Sequence, residues 1–209
     1  MPETAKTHPI VENYEDHAAM LGKLGLKPED ISVVITSHAH WDHVNGIRIF
    51  PDATHYIQEA CYDWTVKTAS QYQILRKFGY PLPEDIEWLV RLNYMGRLEL
   101  MKGERAGNPI EILAGISVIR VDGHYMGCQA AIVNTAKGPV VLASDSVNLY
   151  SNFEMDWPPG ICMTNLTDAL DGMKYYREVL KSGGILIPGH DLAVMERFPE
   201  IREGIVRIA

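Results

Sequence analysis

Within six residues, His38-Ala39-His40-Trp41-Asp42-His43 offers three imidazoles and a carboxylate. Nitrogen and oxygen donors of this kind hold zinc, iron, cobalt or manganese. The chain has eight histidines in 209 residues, so three of them in six positions set this segment apart from an ordinary polar loop. Three further donors stand at loop positions: His124 after Asp122-Gly123, Asp145 after Ser144, and His190 after Pro188-Gly189. Each alone reads as a solvated or hydrogen-bonded side chain. Together the seven donors exceed the roughly four ligands that one zinc takes. Two divalent ions with a carboxylate between them fit the set better. Such a pair polarises a substrate oxygen and lowers the pKa of water, which is hydrolytic chemistry.

Each donor follows a run that reads as a strand. Ile31–Thr36 is short, apolar and β-branched and leads into the His-x-His-x-Asp-His segment. Ile116–Val121 leads to His124, Pro139–Ala143 to Asp145, and Gly184–Ile187 to His190. Strand ends therefore deliver the donors to sheet edges. Alternation along an extended chain predicts that His38, His40 and Asp42 converge while His43 turns to the other side. Further strands are expected near 110–114 and 129–134. Helices are expected near Ile10–Leu24 and over Leu166–Val179, the latter starting near Thr167-Asp168. Two more, roughly Gln58–Phe78 and Glu84–Tyr94, interrupt the alternation and are rich in aromatics. They read as a helical insert, 57–100, in a single domain over 1–209. Its rings are expected mostly in the core and partly on a pocket wall suited to an apolar substrate. Tyr150, Phe153, Trp157 and the Pro158-Pro159-Gly160 turn are candidates for a second part of that rim.

The ordered motifs His38-x-His40-x-Asp42-His43, Gly123-His124, Ser144-Asp145 and Gly189-His190 resemble those of the metallo-β-lactamase superfamily. The resemblance runs from the helix before Ile31 to the C-terminus. It implies an α/β fold of the αββα sandwich type. It also implies one metal held by His38, His40 and His124, a second held by Asp42, His43 and His190, and Asp145 as the bridge. Within the superfamily the chain looks most like the N-acyl-homoserine-lactone lactonases. That likeness implies a hydrolase that opens a lactone or cleaves a similar carboxylic ester by means of a hydroxide shared between the metals. Asp42 would orient that hydroxide and carry a proton to the leaving group. The metals would be zinc first, with iron, manganese or cobalt also compatible.

The sequence departs from this pattern in three places. The lactonase group carries a tyrosine three residues after the bridging aspartate; Asn148 stands there, and Tyr150 is the nearest tyrosine to take over its role. Cys128 stands where relatives often have a second histidine, and reads as a small packing residue. The strands that usually precede the first helix are not evident, so the fold is expected to lack some N-terminal strands, with a homodimer partner or a companion N-terminal segment covering the open edge.

Composition agrees with an enzyme acting on small molecules. The chain is 46% hydrophobic, enough for a sizeable core, and carries a formal net charge of −8, which disfavours nucleic acid and anionic membranes. No apolar stretch matches a membrane span or a secretory h-region. The three cysteines, Cys61, Cys128 and Cys162, are widely spaced and odd in number, as expected of reduced thiols in a cytoplasmic protein. Two alternatives stay open: a glyoxalase-type thioesterase with the same metals, and a non-catalytic, metal-stabilised subunit of a split assembly. A nuclease is disfavoured by the acidic balance and the lack of a Lys/Arg patch.

Overall fold

The apolar run before the histidine segment forms a short strand, β1 (Val33–Ile35), parallel to β2 (Thr54–Gln58). A third strand, β3 (Leu98–Met101), completes a sheet of order β1-β2-β3. The computed structural model describes residues 15–72, 81–105, 107–160 and 164–209. These divide into two compact units: the chain to Ile57 with Tyr62–Leu100, and Gln58–Cys61 with Met101–Ala209.

In the first unit, helix α1 (His17–Lys23) starts at Asp16, whose carboxylate accepts from the Ala19 amide at 2.7 Å. It covers the later part of the helix expected over 10–24; residues 10–14 lie outside the described set. After β1, helix α2 (Trp41–Val44) opens within the histidine segment. Helix α3 (Glu59–Asp63), whose residues Glu59–Cys61 belong to the second unit, runs on into π- and 3-10-type turns over Trp64–Gln71. The remainder of the first expected insert helix, 73–80, lies outside the described residues. The second insert helix is present as α4 (Pro83–Tyr94). Its start is fixed by Asp85, which is fully buried and accepts from the Leu82 backbone amide at 3.1 Å, Nδ2 of the Asn45 side chain at 3.3 Å and the Arg48 guanidinium. Since Asn45 and Arg48 directly follow the histidine segment, this buried carboxylate ties α4 to the stretch that carries the donors.

The second unit is built on five strands: β4 (Ile110–Leu113), β5 (Ile116–Arg120), β6 (Gln129–Thr135), β7 (Gly138–Ser144) and, after two helices, β8 (Ile185–Pro188). The order is sequential, antiparallel from β4 to β7 and parallel between β7 and β8. The parallel pair needs a crossover. Helix α5 (Tyr150–Glu154) and the long α6 (Leu166–Lys181) lie on it. Asn165 caps α6, accepting from the Thr167 and Asp168 amides. On α6, Ala169, Met173 and Tyr176 recur at helical spacing and are buried. Met173 and Tyr176 pack with Ile119, Val121, Ile132, Val141 and Leu186 of the sheet in one core cluster. The chain closes with α7 (Ala193–Arg197) and the hairpin β9 (Glu200–Arg202) and β10 (Ile205–Val206).

Every strand expected from the sequence is present within a residue or two of its limits. Strands β2 and β3 and the terminal hairpin were not expected. Thr54-His55-Tyr56-Ile57-Gln58 lacks a clean apolar alternation because His55 and Gln58, both polar, are buried.

Candidate metal centre

The first unit carries four donors, with His38 facing His40 and Asp42 beside His43. His40 occupies the N-cap of α2 in extended conformation, and the helix begins at Trp41. His38 Nε2 and His40 Nδ1 face each other at 2.9 Å, and both residues are buried. Two basic nitrogens at that distance need a shared proton or a shared cation between them. The Ser37 hydroxyl lies 3.2 Å from Nδ1 of His38 and 3.2 Å from Nδ1 of His43. The His38 and His43 rings sit with centroids 4.1 Å apart, and His43 Nε2 lies 3.5 Å from the Asp42 carboxylate.

This corrects one expectation. Simple strand alternation sent His43 away from His38, His40 and Asp42. The extended chain ends at His40, and the helical turn from Trp41 rotates His43 back beside His38. Helical spacing, not period two, governs the last residues of the segment.

The second unit carries the other three donors. Asp145 is buried, and each of its two oxygens faces a different imidazole: His124 Nε2 at 3.3 Å and His190 Nε2 at 3.0 Å. Two features of the strand ends make this approach close. Ser144, the last residue of β7, has φ of 49°, a left-handed conformation unusual for a non-glycine residue, and it turns the chain into Asp145. Gly189 then passes so near that a Cβ there would meet the Ser144 carbonyl carbon at 2.7 Å and Asp145 Oδ1 at 2.8 Å. The Gly189 and His190 amides donate to the carbonyls of Val147 and Asn148. His124 and Asp145 are almost fully enclosed, whereas the His190 side chain is 43% exposed.

Tyr150 opens α5. Its hydroxyl is buried without a hydrogen-bond partner, and the Arg197 guanidinium stacks on its ring at 3.6 Å. Burial raises the phenol pKa, partly offset by Arg197. The Tyr150 amide donates to Asp191, next in sequence to His190, at 2.8 Å. That bond and a second from the Ala193 amide hold the Asp191 carboxyl below its usual range. Tyr150 and Phe153 line a cavity of about 450 Å³ with Arg177, Leu186, Arg197 and Phe198, whereas Trp157 is largely exposed. Asn148 Oδ1 is buried and lacks a hydrogen-bond partner. Cys128 is completely buried, which pushes its thiol well up and suits a packing residue rather than a thiolate.

Sequence reasoning missed two supports. Ser37 touches two of the histidines; its only signal was a hydroxyl directly ahead of the motif. Asp122 was visible beside Gly123-His124 but carried no role until its partners were seen.

The donor clusters, the mixed α/β elements and the placement of donors at strand ends define a metallohydrolase-like class. A family model described as metallo-beta-lactamase superfamily matches residues 9–190, and the chain belongs to that superfamily. It is 32% identical over 175 residues to an N-acyl homoserine lactonase of Bacillus cereus, covering 83% of this chain and 61% of the relative. It is 24% identical over 200 residues to the lactonase AttM of Rhizobium johnstonii, covering 93% and 71% respectively. Among solved structures, it is similar to an N-acyl homoserine lactone hydrolase with the product N-hexanoyl-L-homoserine bound at its catalytic metal centre, with a TM-score of 0.69 and 25% identity over 88% of this chain and 65% of that one. The chain thus spans about three-fifths of the length of the Bacillus relative.

Proposed function

We propose that the chain is a metal-dependent hydrolase that opens a lactone or a closely similar carboxylic ester, with two divalent ions held by His38, His40, Asp42, His43, His124, Asp145 and His190. The observation that carries the proposal is the Asp145 carboxylate, which directs one oxygen to His124 and the other to His190. A carboxylate flanked in this way has the form of a bridge between two ions. The His38–His40 pair supplies two converging nitrogens of the kind an ion shares. The donor set is all imidazole and carboxylate, which suits zinc and also fits iron, cobalt or manganese. Bound there, two ions would supply Lewis acidity and a water that ionises near neutral pH. Residues 1–209 then form one domain with 57–100 as its insert.

The protein's own groups have distinct tasks in this reading. Asp42 is partly exposed, with 31% of its side chain accessible, and it lies beside His43. It can hold the attacking water by hydrogen bond, take its proton and pass it to the leaving alkoxide. Tyr150, a phenol that is protonated at neutral pH, can donate to a substrate oxygen. Asn148 offers an acceptor to a substrate N–H. A lactone with an apolar acyl part is the substrate class, in keeping with the relatives' names.

The test combines metal analysis with a substrate screen. The purified protein is expected to hold two ions per chain and to hydrolyse acyl lactones faster than aryl esters or thioesters. Preference for thioesters would replace the lactonase reading with the thioesterase one. Two ions without turnover of any substrate would contradict the enzyme reading.

A further inference from the structure

We infer that Asp122 is a positioning residue for the metal centre: clamped by Arg120 and Arg105, it holds the Asp122–Cys128 loop so that His124 keeps its ligating direction. The inference rests on the proposed role of His124 as a ligand.

Asp122 is 2% exposed, yet its carboxylate is crowded with donors. Arg120 grips it with both arms of its fork, Nε to Oδ1 at 2.8 Å and an NH2 nitrogen to Oδ2 at 2.6 Å. Arg105 adds a third contact at 3.2 Å and reaches on to Asp168 in the first turn of α6 at 3.4 Å. The fourth donor is decisive. The Gly127 amide gives its proton to Asp122 Oδ1 at 2.9 Å. The carboxylate therefore closes a ring across the loop, with His124 inside it. A structural ion pair on a strand would need no such bond.

The rest of the loop has little room to answer a change. Gly123, with φ of +132°, lies so close to α6 that a Cβ would meet Ala169 Cβ at 2.6 Å. Gly127, with φ of +69°, would place a Cβ 2.3 Å from the Cys61 amide nitrogen. The loop ends are tied by the Val121 amide to the Cys128 carbonyl at 2.8 Å. The two glycines and the Asp122 bond hold His124 from both sides. Net charge is balanced locally, two guanidiniums against two carboxylates. The clamp's effect is geometric, which is how groups beyond the ligands ordinarily tune metal affinity.

Asp122→Asn keeps the side-chain shape and one acceptor but loses the charge that fixes the Arg120 fork. Arg120→Lys keeps the charge and loses the fork. Ile132→Ala serves as a control, because it opens a cavity in the core of the same unit without touching the loop. Binding of Zn and Co is measured by chelator competition, beside the melting temperature of the metal-free protein. The expected result is that Asp122→Asn and Arg120→Lys weaken one of the two ions by about ten- to a hundredfold and leave the other within a few-fold. Ile132→Ala is expected to lower the melting temperature and leave both affinities in place. If Asp122→Asn lowers only the melting temperature, like the control, the clamp is merely structural and the inference fails while the proposed function stands. If Asp122→Asn does not fold, Arg120→Lys decides on the same criterion. A wild-type protein that binds no metal would overturn the proposed function and this inference together.

Discussion

At the scale of single residues, chemistry and support are separable. In the proposed mechanism Asp42 carries a proton, so Asp42→Asn, whose amide oxygen can still ligate, is expected to cut turnover by about a hundredfold or more while the metals stay bound. Retained activity with a full complement of metal would remove Asp42 from that role. Gly189 has a purely steric duty. Gly189→Ala would push a methyl into Ser144 and the Asp145 carboxylate, and is expected to weaken metal binding with the secondary structure intact by circular dichroism. His55 is a histidine with no part in the centre. It is fully enclosed, and burial holds its pKa below the ordinary 6.5, against a smaller opposing effect of its bond to the Phe50 carbonyl. In the folded chain it therefore binds fewer protons than in the unfolded chain just below that value. Its contribution to stability is complete above about pH 6.5 and is lost as the pH falls toward the folded-state pKa. The fall in melting temperature between about pH 7.5 and about pH 5.5 is expected to shrink in His55→Gln; an unchanged fall would show that other groups drive it. The candidate donors were legible in the sequence because seven imidazoles and carboxylates recur at strand ends in one ordered pattern. Ser37 and Asp122 were not, because a serine or aspartate gains such a role only from partners brought near by folding.

At the scale of elements, periodicity served where one kind of packing rules. Strands β4 to β8 were legible because short apolar runs ended in glycine or polar turns. Helix α6 was legible from the spacing of Ala169, Leu170 and Met173, although its cap is Asn165, just ahead of the expected start. Asn165→Ala is expected to cost about 1 kcal/mol, since it leaves the Thr167 and Asp168 amides without their acceptor. In a protein of this size that corresponds to about 2–4 °C in melting temperature, read by calorimetry; no change would mean that water replaces the cap at no cost. The reading failed where the period changes inside a motif. Alternation holds to His40, α2 begins at Trp41, and nothing in His-x-His-x-Asp-His marks the switch. Strand β2 escaped for a different reason: its buried His55 and Gln58 bond the Phe50 carbonyl and the Gln129 side chain, contacts that a pattern of apolar residues does not contain.

At the scale of the whole molecule, membership of the metallo-beta-lactamase superfamily rests on a match over residues 9–190. Among the described residues, no helix is long and apolar enough to cross a membrane. The donors divide between two units, His38 to His43 in one and His124, Asp145 and His190 in the other. Metal held by the donors of a unit stabilises that unit by mass action on the folded state. Hydrogen exchange with and without metal is expected to gain protection in 37–44 and also in 122–128 and 188–191. Protection confined to one unit would mean that the donors of the other hold no metal. The central claim, that two ions held by these seven side chains drive lactone opening, is tested most directly by titrating the metal-free protein with Zn while following hydrolysis of an N-acyl homoserine lactone. The account predicts activity that is absent without metal, rises with the metal and reaches its plateau at two ions per chain. Hydrolysis that persists in the metal-free protein, or a chain that binds no metal, would contradict it.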